Sequence, residues 1–206
     1  MLVGLFKSKL DRFWNQMGAG LARSGVSPNM VTLAGMGLTF FSCLYFLLSA
    51  DFFGFGIFLA VTFTSDSLDG AVARLTNRSS KFGSYLDAVV DRYQEILVYL
   101  TLGIVTELWI PVFFAVTGSL LISYNKARVA VDTPISNHGW PDLMERMERL
   151  ILICLALILE GLFPDHDIMK YLLILMGILT HLTAVQRFFR AKNILMEIDK
   201  KGPRGN

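Results

Sequence analysis

Four aspartates lie in a strongly apolar part of the chain, residues 65–94. Asp66 and Asp69 are three residues apart, and Asp87 and Asp91 are four apart. On helices, these spacings place the members of each pair on one face. Ionised side chains at membrane depth are costly, and carboxylates that lie close together also repel one another. The group therefore needs positively charged partners, and two such helix faces can meet over a metal ion.

Two kinds of partner fit these carboxylates. Arg74, Arg78, Lys81 and Arg92 lie nearby and could form a structural ion network at the helix ends. One or two divalent cations are the alternative, and hard oxygen ligands without nearby His or Cys favour Mg²⁺ or Mn²⁺ over zinc. A carboxylate site for two metal ions beside arginine suits phosphoryl transfer, so the sequence favours an enzyme acting on a phosphate-bearing substrate.

The composition indicates how these faces are positioned. The chain has 206 residues, 53% of them apolar and 12% aromatic, which is typical of an all-α integral membrane protein. Its formal net charge is +2, and we find no basic block of the kind that binds nucleic acid.

The apolar segments predict six transmembrane helices in a single membrane-embedded catalytic domain, residues 1–192. Ser27 and Pro28 read as the N-cap and first residue of the first span. An amphipathic helix in the membrane interface is expected over residues 2–17, and a polar tail over 193–206. The predicted spans are residues 30–50, 52–75, 81–106, 109–129, 143–163 and 168–189.

The basic residues predict the orientation. The chain has 19 Lys and Arg residues, and all but Lys170 fall on the same side of the predicted spans. The positive-inside rule then puts both termini and the aspartates on the cytoplasmic side of the cell membrane. A cation-coupled transporter is an alternative, because intramembrane carboxylates also mark ion pathways. The aspartates cluster near one face, which suits a half-open cavity better than a conduit. A purely structural membrane module would leave the four carboxylates unexplained.

The aspartate segment resembles the signature of the CDP-alcohol phosphotransferases, integral membrane enzymes of phospholipid synthesis. The resemblance implies six transmembrane helices, a polar cavity open to the cytoplasm and a homodimer. It also implies transfer of a substituted phosphate from a CDP-linked lipid to an alcohol, with release of CMP. Eight residues match at the family's spacing: Asp66, Asp69, Gly70, Ala73, Arg74, Gly83, Asp87 and Asp91.

The resemblance also implies a role for each matched residue. Asp66, Asp69, Asp87 and Asp91 would bind two metal ions, with Asp91 also the general base that deprotonates the acceptor. The matched positions that would contact the CDP group are Asp66, Asp69, Gly70, Ala73, Arg74 and Gly83. Close helix packing would explain the glycines almost as well. Asn29 and Thr32, near the start of the first span, are further candidates for contact with the donor phosphates.

Basic residues at the same predicted depth are candidates for the acceptor site: Lys126, Arg146, Arg149 and Arg187. The strings around them resemble those of the subgroup that makes phosphatidylinositol phosphate or archaetidylinositol phosphate, where the acceptor is inositol 1-phosphate. A phosphorylated acceptor needs an anion clamp, which lysine and arginine can supply. The resemblance to the subgroup implies that Lys126, Arg149 and Arg187 form it. Val129 and Ala130 depart from the subgroup's usual Ala-Glu, and glycerol 3-phosphate remains the alternative acceptor.

Overall fold

The structure is a computed structural model that describes residues 18–133 and 143–200, except for the side chains of residues 65–67. The predicted interfacial helix at 2–17 and the side chain of Asp66 lie outside the described residues. Residues 18–23 are helical, and a short 3₁₀ helix, Pro164–His166, precedes the last helix. The long helices within the described part are α1 (Pro28–Ser49), α2 (Phe52–Leu75), α3 (Lys81–Thr106), α4 (Trp109–Asp132), α5 (Arg146–Leu162) and α6 (Ile168–Lys200).

Polar side chains cap the first three helices. Ser27 accepts a hydrogen bond from the Met30 N–H, as expected from its place before Pro28. Asp51 caps α2 by accepting from the Gly54 N–H at 3.0 Å, and Ser80 caps α3 by accepting from the Gly83 N–H at 2.9 Å. Each cap satisfies a backbone donor that has no partner within its own helix.

Two of the helices, α2 and α3, coincide with the predicted spans 52–75 and 81–106. The end of the chain differs from the prediction, because residues 193–200 continue α6 where we expected a polar tail from residue 193. The extension packs against the end of α4, where Val129 and Ala191 are buried together and contact Ile194 and Leu195. This tertiary contact explains why α6 continues beyond the end of its apolar segment.

The two helices that carry the aspartates pack mainly on other helices. Helix α2 packs against α1 and α5, whereas α3 packs against α1 and α4. Helices α4 and α6 form the most extensive pair, with Gly118 of α4 so close to Thr180 of α6 that a side chain at position 118 would overlap the threonine hydroxyl. This arrangement leaves space between the aspartate-bearing faces of α2 and α3.

Three helices among the described residues, α1, α2 and α6, are long and apolar enough to cross a membrane. Large apolar side chains point outward from the bundle; Leu48, for example, is 80% exposed and Ile110 73% exposed. The protein is therefore an all-α protein with candidate membrane spans.

Candidate active site

A small cavity of about 210 Å³ lies where the start of α1, the end of α2 and the start of α3 meet. It contains every predicted donor-binding residue whose side chain the structure describes, together with the polar connection between α2 and α3. The described lining residues are Pro28, Asn29, Thr32, Asp69, Gly70, Ala73, Arg74, Arg78, Ser79, Ser80, Gly83, Ser84 and Asp87.

Hydrogen bonds fix the Asp69 carboxylate at the wall of this cavity. Thr32 donates from Oγ1 to Asp69 Oδ2 at 2.7 Å, and the Gly70 N–H donates to Oδ1 at 2.5 Å. Thr32, a candidate for contact with the donor phosphates, also lines the cavity and orients Asp69. A carboxylate held in this way loses less conformational freedom when it binds a ligand.

The glycines in the small cavity are not explained by helix packing alone. A Cβ atom built on Gly70 would meet Arg74 Nη1 at 3.4 Å, which is an ordinary contact, and would otherwise stand in the cavity. On Gly83 it would lie 3.0 Å from Ser80 Oγ and 3.2 Å from Asn29 Oδ1, both polar atoms. The packing explanation therefore fails for Gly70, whose missing side chain leaves room in the cavity.

A large cavity of about 810 Å³ lies between α3, α4, α5 and α6. It brings together the four basic residues that the sequence singled out, although they are spread over 62 positions of the chain, from 126 to 187. The described lining residues are Asp87, Ala88, Asp91, Arg92, Leu120, Ile122, Ser123, Tyr124, Lys126, Ala127, Ala130, Glu145, Arg146, Arg149 and Arg187.

Among the described lining residues, Asp87 is the one that the two cavities share. Asp91 follows it by one helical turn and lines the large cavity, where Arg146 Nη1 lies 2.8 Å from Asp91 Oδ1 and Arg92 Nη2 lies 3.5 Å from Oδ2. The structure thus places the Asp91 carboxylate against the basic lining of the large cavity.

The four basic residues differ in how they are held. Arg149 is 1% exposed, with Nε and Nη2 each 2.7 Å from Glu95 Oε1 and Nη1 donating to the Met144 carbonyl at 2.9 Å. Arg187 donates from Nη1 to the Ile122 carbonyl at 2.5 Å. Arg146 contacts Gln94 Oε1 at 2.9 Å as well as Asp91.

Sequence reasoning missed Glu95, which is 1% exposed and belongs to this network. Its signal was present, because Asp87, Asp91 and Glu95 follow at intervals of four and so share one helix face. Arg92 was named as a possible ion partner of the aspartates, and it contacts Asp91, Glu95 and Ser123.

The polar residues present fit a hard divalent cation. Asp69 and Asp87 present carboxylate oxygens to the small cavity, and its described lining contains neither His nor Cys. Oxygen ligands of this kind suit Mg²⁺ or Mn²⁺. Among the described side chains, which do not include Asp66, no three His, Cys, Asp or Glu residues are grouped closely enough to bind a metal together.

Comparison with known proteins identifies the family of this chain. Residues 25–186 match the family described as CDP-alcohol phosphatidyltransferase. An archaetidylinositol phosphate synthase from Pyrococcus horikoshii is 33% identical over 196 residues, covering 94% of this chain and 98% of the relative.

Solved structures show the same fold. A crystal structure of the Mycobacterium tuberculosis phosphatidylinositol phosphate synthase with CDP-DAG bound matches with a TM-score of 0.77 at 27% identity, covering 87% of this chain and 94% of that one. A structure of that synthase with manganese and citrate matches with a TM-score of 0.76 at 26% identity, covering 86% and 88% of the two chains. The chain therefore belongs to the CDP-alcohol phosphatidyltransferase family of transferases.

Proposed function

We propose that this protein transfers a phosphatidyl-type group from a CDP-linked lipid to inositol 1-phosphate and releases CMP. The observation that carries the proposal is the position of Asp87, which lines both the small cavity and the large one. The small cavity contains the family signature, and the large cavity contains the basic residues expected for a phosphorylated acceptor. If the β-phosphorus of the donor lies near Asp87, an acceptor bound in the large cavity would be within reach of it.

We propose that the CDP group binds in the small cavity. Gly70, Ala73 and Gly83 leave room beside the aspartates, while Arg74 and Asn29 supply polar contacts to the nucleotide and its phosphates. Asp66, Asp69, Asp87 and Asp91 would hold two Mg²⁺ or Mn²⁺ ions. When bound, such ions offset charge on the pyrophosphate and stabilise the departing CMP. The M. tuberculosis synthase crystallised with manganese supports this choice of metal.

In the large cavity, we propose that the Asp91 carboxylate accepts the proton of the acceptor hydroxyl. The hydroxyl oxygen then bonds to the β-phosphorus of the CDP-lipid, and the bond between that phosphorus and the oxygen bridging to CMP breaks. Arg92 and Arg146 contact the two oxygens of Asp91 and orient its carboxylate before the reaction. Asp91 then carries the proton, and CMP leaves with the electron pair of the broken bond and its negative charge.

The acceptor phosphate would be bound by Lys126, Arg146 and Arg187, on three different helices around the large cavity. Arg149 was included with them in the sequence prediction, but its guanidinium is bound to Glu95 and Met144. We therefore propose that Arg149 shapes the cavity wall and that the other three residues bind the phosphate. An acceptor without phosphate would leave these cations without a ligand.

Inositol 1-phosphate is favoured over glycerol 3-phosphate because the relatives at this similarity are named as inositol-lipid synthases. A cation-coupled transporter is disfavoured because both cavities are built around the same turn of α3, rather than along a path through the bundle. We also propose six spans in the cell membrane, with both termini and the site facing the cytoplasm, and a homodimer as the family resemblance implies.

An acceptor panel tests the proposal. Purified protein in detergent would receive a CDP-linked lipid, Mn²⁺ or Mg²⁺, and in separate reactions inositol 1-phosphate, glycerol 3-phosphate, inositol or serine, with CMP release measured. We expect the highest kcat/KM with inositol 1-phosphate. A higher kcat/KM with glycerol 3-phosphate would show that glycerol 3-phosphate is the acceptor. Metal-dependent ion flux into vesicles, with no CMP released, would favour a transporter.

A further inference from the structure

Glu95 is a buried acid that the proposed reaction does not use. It lies on α3 with 1% of its surface exposed. Its Oε1 atom is 2.7 Å from both Nε and Nη2 of Arg149 on α5. Its Oε2 atom accepts no hydrogen bond from the described residues and lies 3.9 Å from Arg92 Nε.

The contacts of Glu95 continue to the candidate base. Arg92 contacts Asp91 at 3.5 Å and also donates to Ser123 of α4. Arg146 contacts the other oxygen of Asp91 at 2.8 Å. This network contains three guanidinium groups and two carboxylates, from Arg92, Arg146, Arg149, Asp91 and Glu95. Because the arginines share these two carboxylates, each carboxylate determines where the arginines lie.

We propose that Glu95 is a positioning residue that holds Arg149 away from Asp91, so that Arg146 and Asp91 remain available to the acceptor. The proposal rests on the proposed function of the large cavity. A buried arginine that loses its partner carries an uncompensated charge and turns to another anion. The remaining carboxylate of the network is Asp91. Without the charge of Glu95, Arg149 would therefore compete with Arg146 for Asp91 and disturb both the base and the phosphate-binding site.

The test is a set of steady-state measurements on the full chain in detergent, with donor and acceptor varied separately. Glu95→Gln keeps the shape of the side chain and removes its charge. We expect the acceptor KM to rise about tenfold or more, as for a lost hydrogen bond to a charged group, and kcat to fall, while the donor KM stays at the wild-type value. Glu160→Gln is the matched control, because Glu160 of α5 accepts from the Met169 N–H outside both cavities, and it should leave both KM values unchanged.

Two further variants keep the proposal testable if Glu95→Gln folds poorly. Glu95→Asp retains the charge at shorter reach and should raise the acceptor KM by a smaller factor. In the double variant Glu95→Gln/Arg149→Met, the competing arginine is absent, so the acceptor KM should return toward the wild-type value. This rescue is not expected if Arg149 itself binds the acceptor phosphate.

If Glu95 served only to stabilise the fold, Glu95→Gln would give a different kinetic pattern. A smaller folded fraction would lower the maximal rate and leave both KM values unchanged. Such a result for Glu95→Gln would overturn the proposal, as would a double variant with an acceptor KM as high as that of Glu95→Gln. If wild-type protein releases no CMP with any phosphorylated alcohol, the proposed function fails and this inference fails with it. An active wild type with an unchanged acceptor KM in Glu95→Gln overturns the inference alone.

Discussion

Asp87 lines both cavities, whereas Asp91, one helical turn further along α3, lines the large cavity and is held there by Arg146. One helix face therefore connects the cavity that contains the nucleotide signature to the cavity that contains the basic residues. Under the proposed function, the two aspartates have different tasks: Asp87 would lie at the junction of the substrates, and Asp91 would face the acceptor.

Asp91→Asn should abolish turnover and leave CDP-lipid binding nearly intact. The amide cannot accept the hydroxyl proton, and loss of a general base lowers rates by about 10²- to 10⁴-fold. CMP release would report turnover, and equilibrium binding of the CDP-lipid would report the donor site. Asp165→Asn, in the 3₁₀ helix outside both cavities, is the control. Turnover near the wild-type rate in Asp91→Asn would show that another group is the base.

Lys126→Ala should raise the acceptor KM by about ten- to a hundredfold, because a hydrogen bond between charged groups is lost from the phosphate site. The donor KM should stay the same. Lys170→Ala serves as the matched control, since Lys170 is exposed and contacts Asp167 next to the 3₁₀ helix. Equal acceptor KM values in the two variants would contradict the assignment of the large cavity to the acceptor.

Arg149→Ala should destabilise the protein by about 3–5 kcal/mol, because Glu95 would remain buried without its partner. Lys126→Ala removes a half-exposed side chain and should leave the Tm near the wild-type value. Thermal unfolding of both variants in the same detergent would give the two Tm values for comparison with that of the wild type. A normal Tm for Arg149→Ala would show that the contact between Arg149 and Glu95 contributes little to folding.

Two glycines provide a test of whether a missing side chain makes room for substrate or allows close helix packing. Gly70→Ala should preserve or raise the Tm, because alanine is the better helix former, and should raise the donor KM. Gly118→Ala should lower stability by about 1–3 kcal/mol through overlap with Thr180, with both KM values unchanged. A Gly70→Ala variant with a normal donor KM would indicate that the small cavity does not bind the nucleotide at that point.

Removal of divalent metal should stop CMP release, and added Mn²⁺ or Mg²⁺ should restore it. Binding can be followed separately as a rise in Tm when Mn²⁺ is added to chelator-treated protein. Asp69→Asn should reduce that rise, since it removes a carboxylate that Thr32 and the Gly70 N–H hold in place. Full activity in excess chelator would contradict a metal-dependent reaction.

The helices could be predicted from local sequence, and the residues of the small cavity from the family signature. Asp69, Gly70 and Arg74 lie on α2 and Gly83 lies on α3, and the small cavity contains all four. The capping role of Ser27 was also readable, because a serine before a proline is a local signal.

Features that depend on pairs of distant residues were not predictable in the same way. Nothing local indicates that the guanidinium of Arg149 is buried against Glu95, 54 positions earlier. The helical extension of α6 to Lys200 likewise depends on the contact between Val129 and Ala191. In both cases a contact with a distant residue decides the outcome: whether Arg149 binds phosphate or pairs with Glu95, and whether residues 193–200 form a tail or a helix.

The most direct test of the account is identification of the products formed from a CDP-linked lipid and inositol 1-phosphate. Attack on the β-phosphorus predicts CMP and a lipid carrying inositol phosphate in equal amounts, both absent in Asp91→Asn. Mass spectrometry of the extracted lipid and of the nucleotide would measure them together. Formation of phosphatidic acid with a CMP-linked alcohol, or of neither product, would contradict the account.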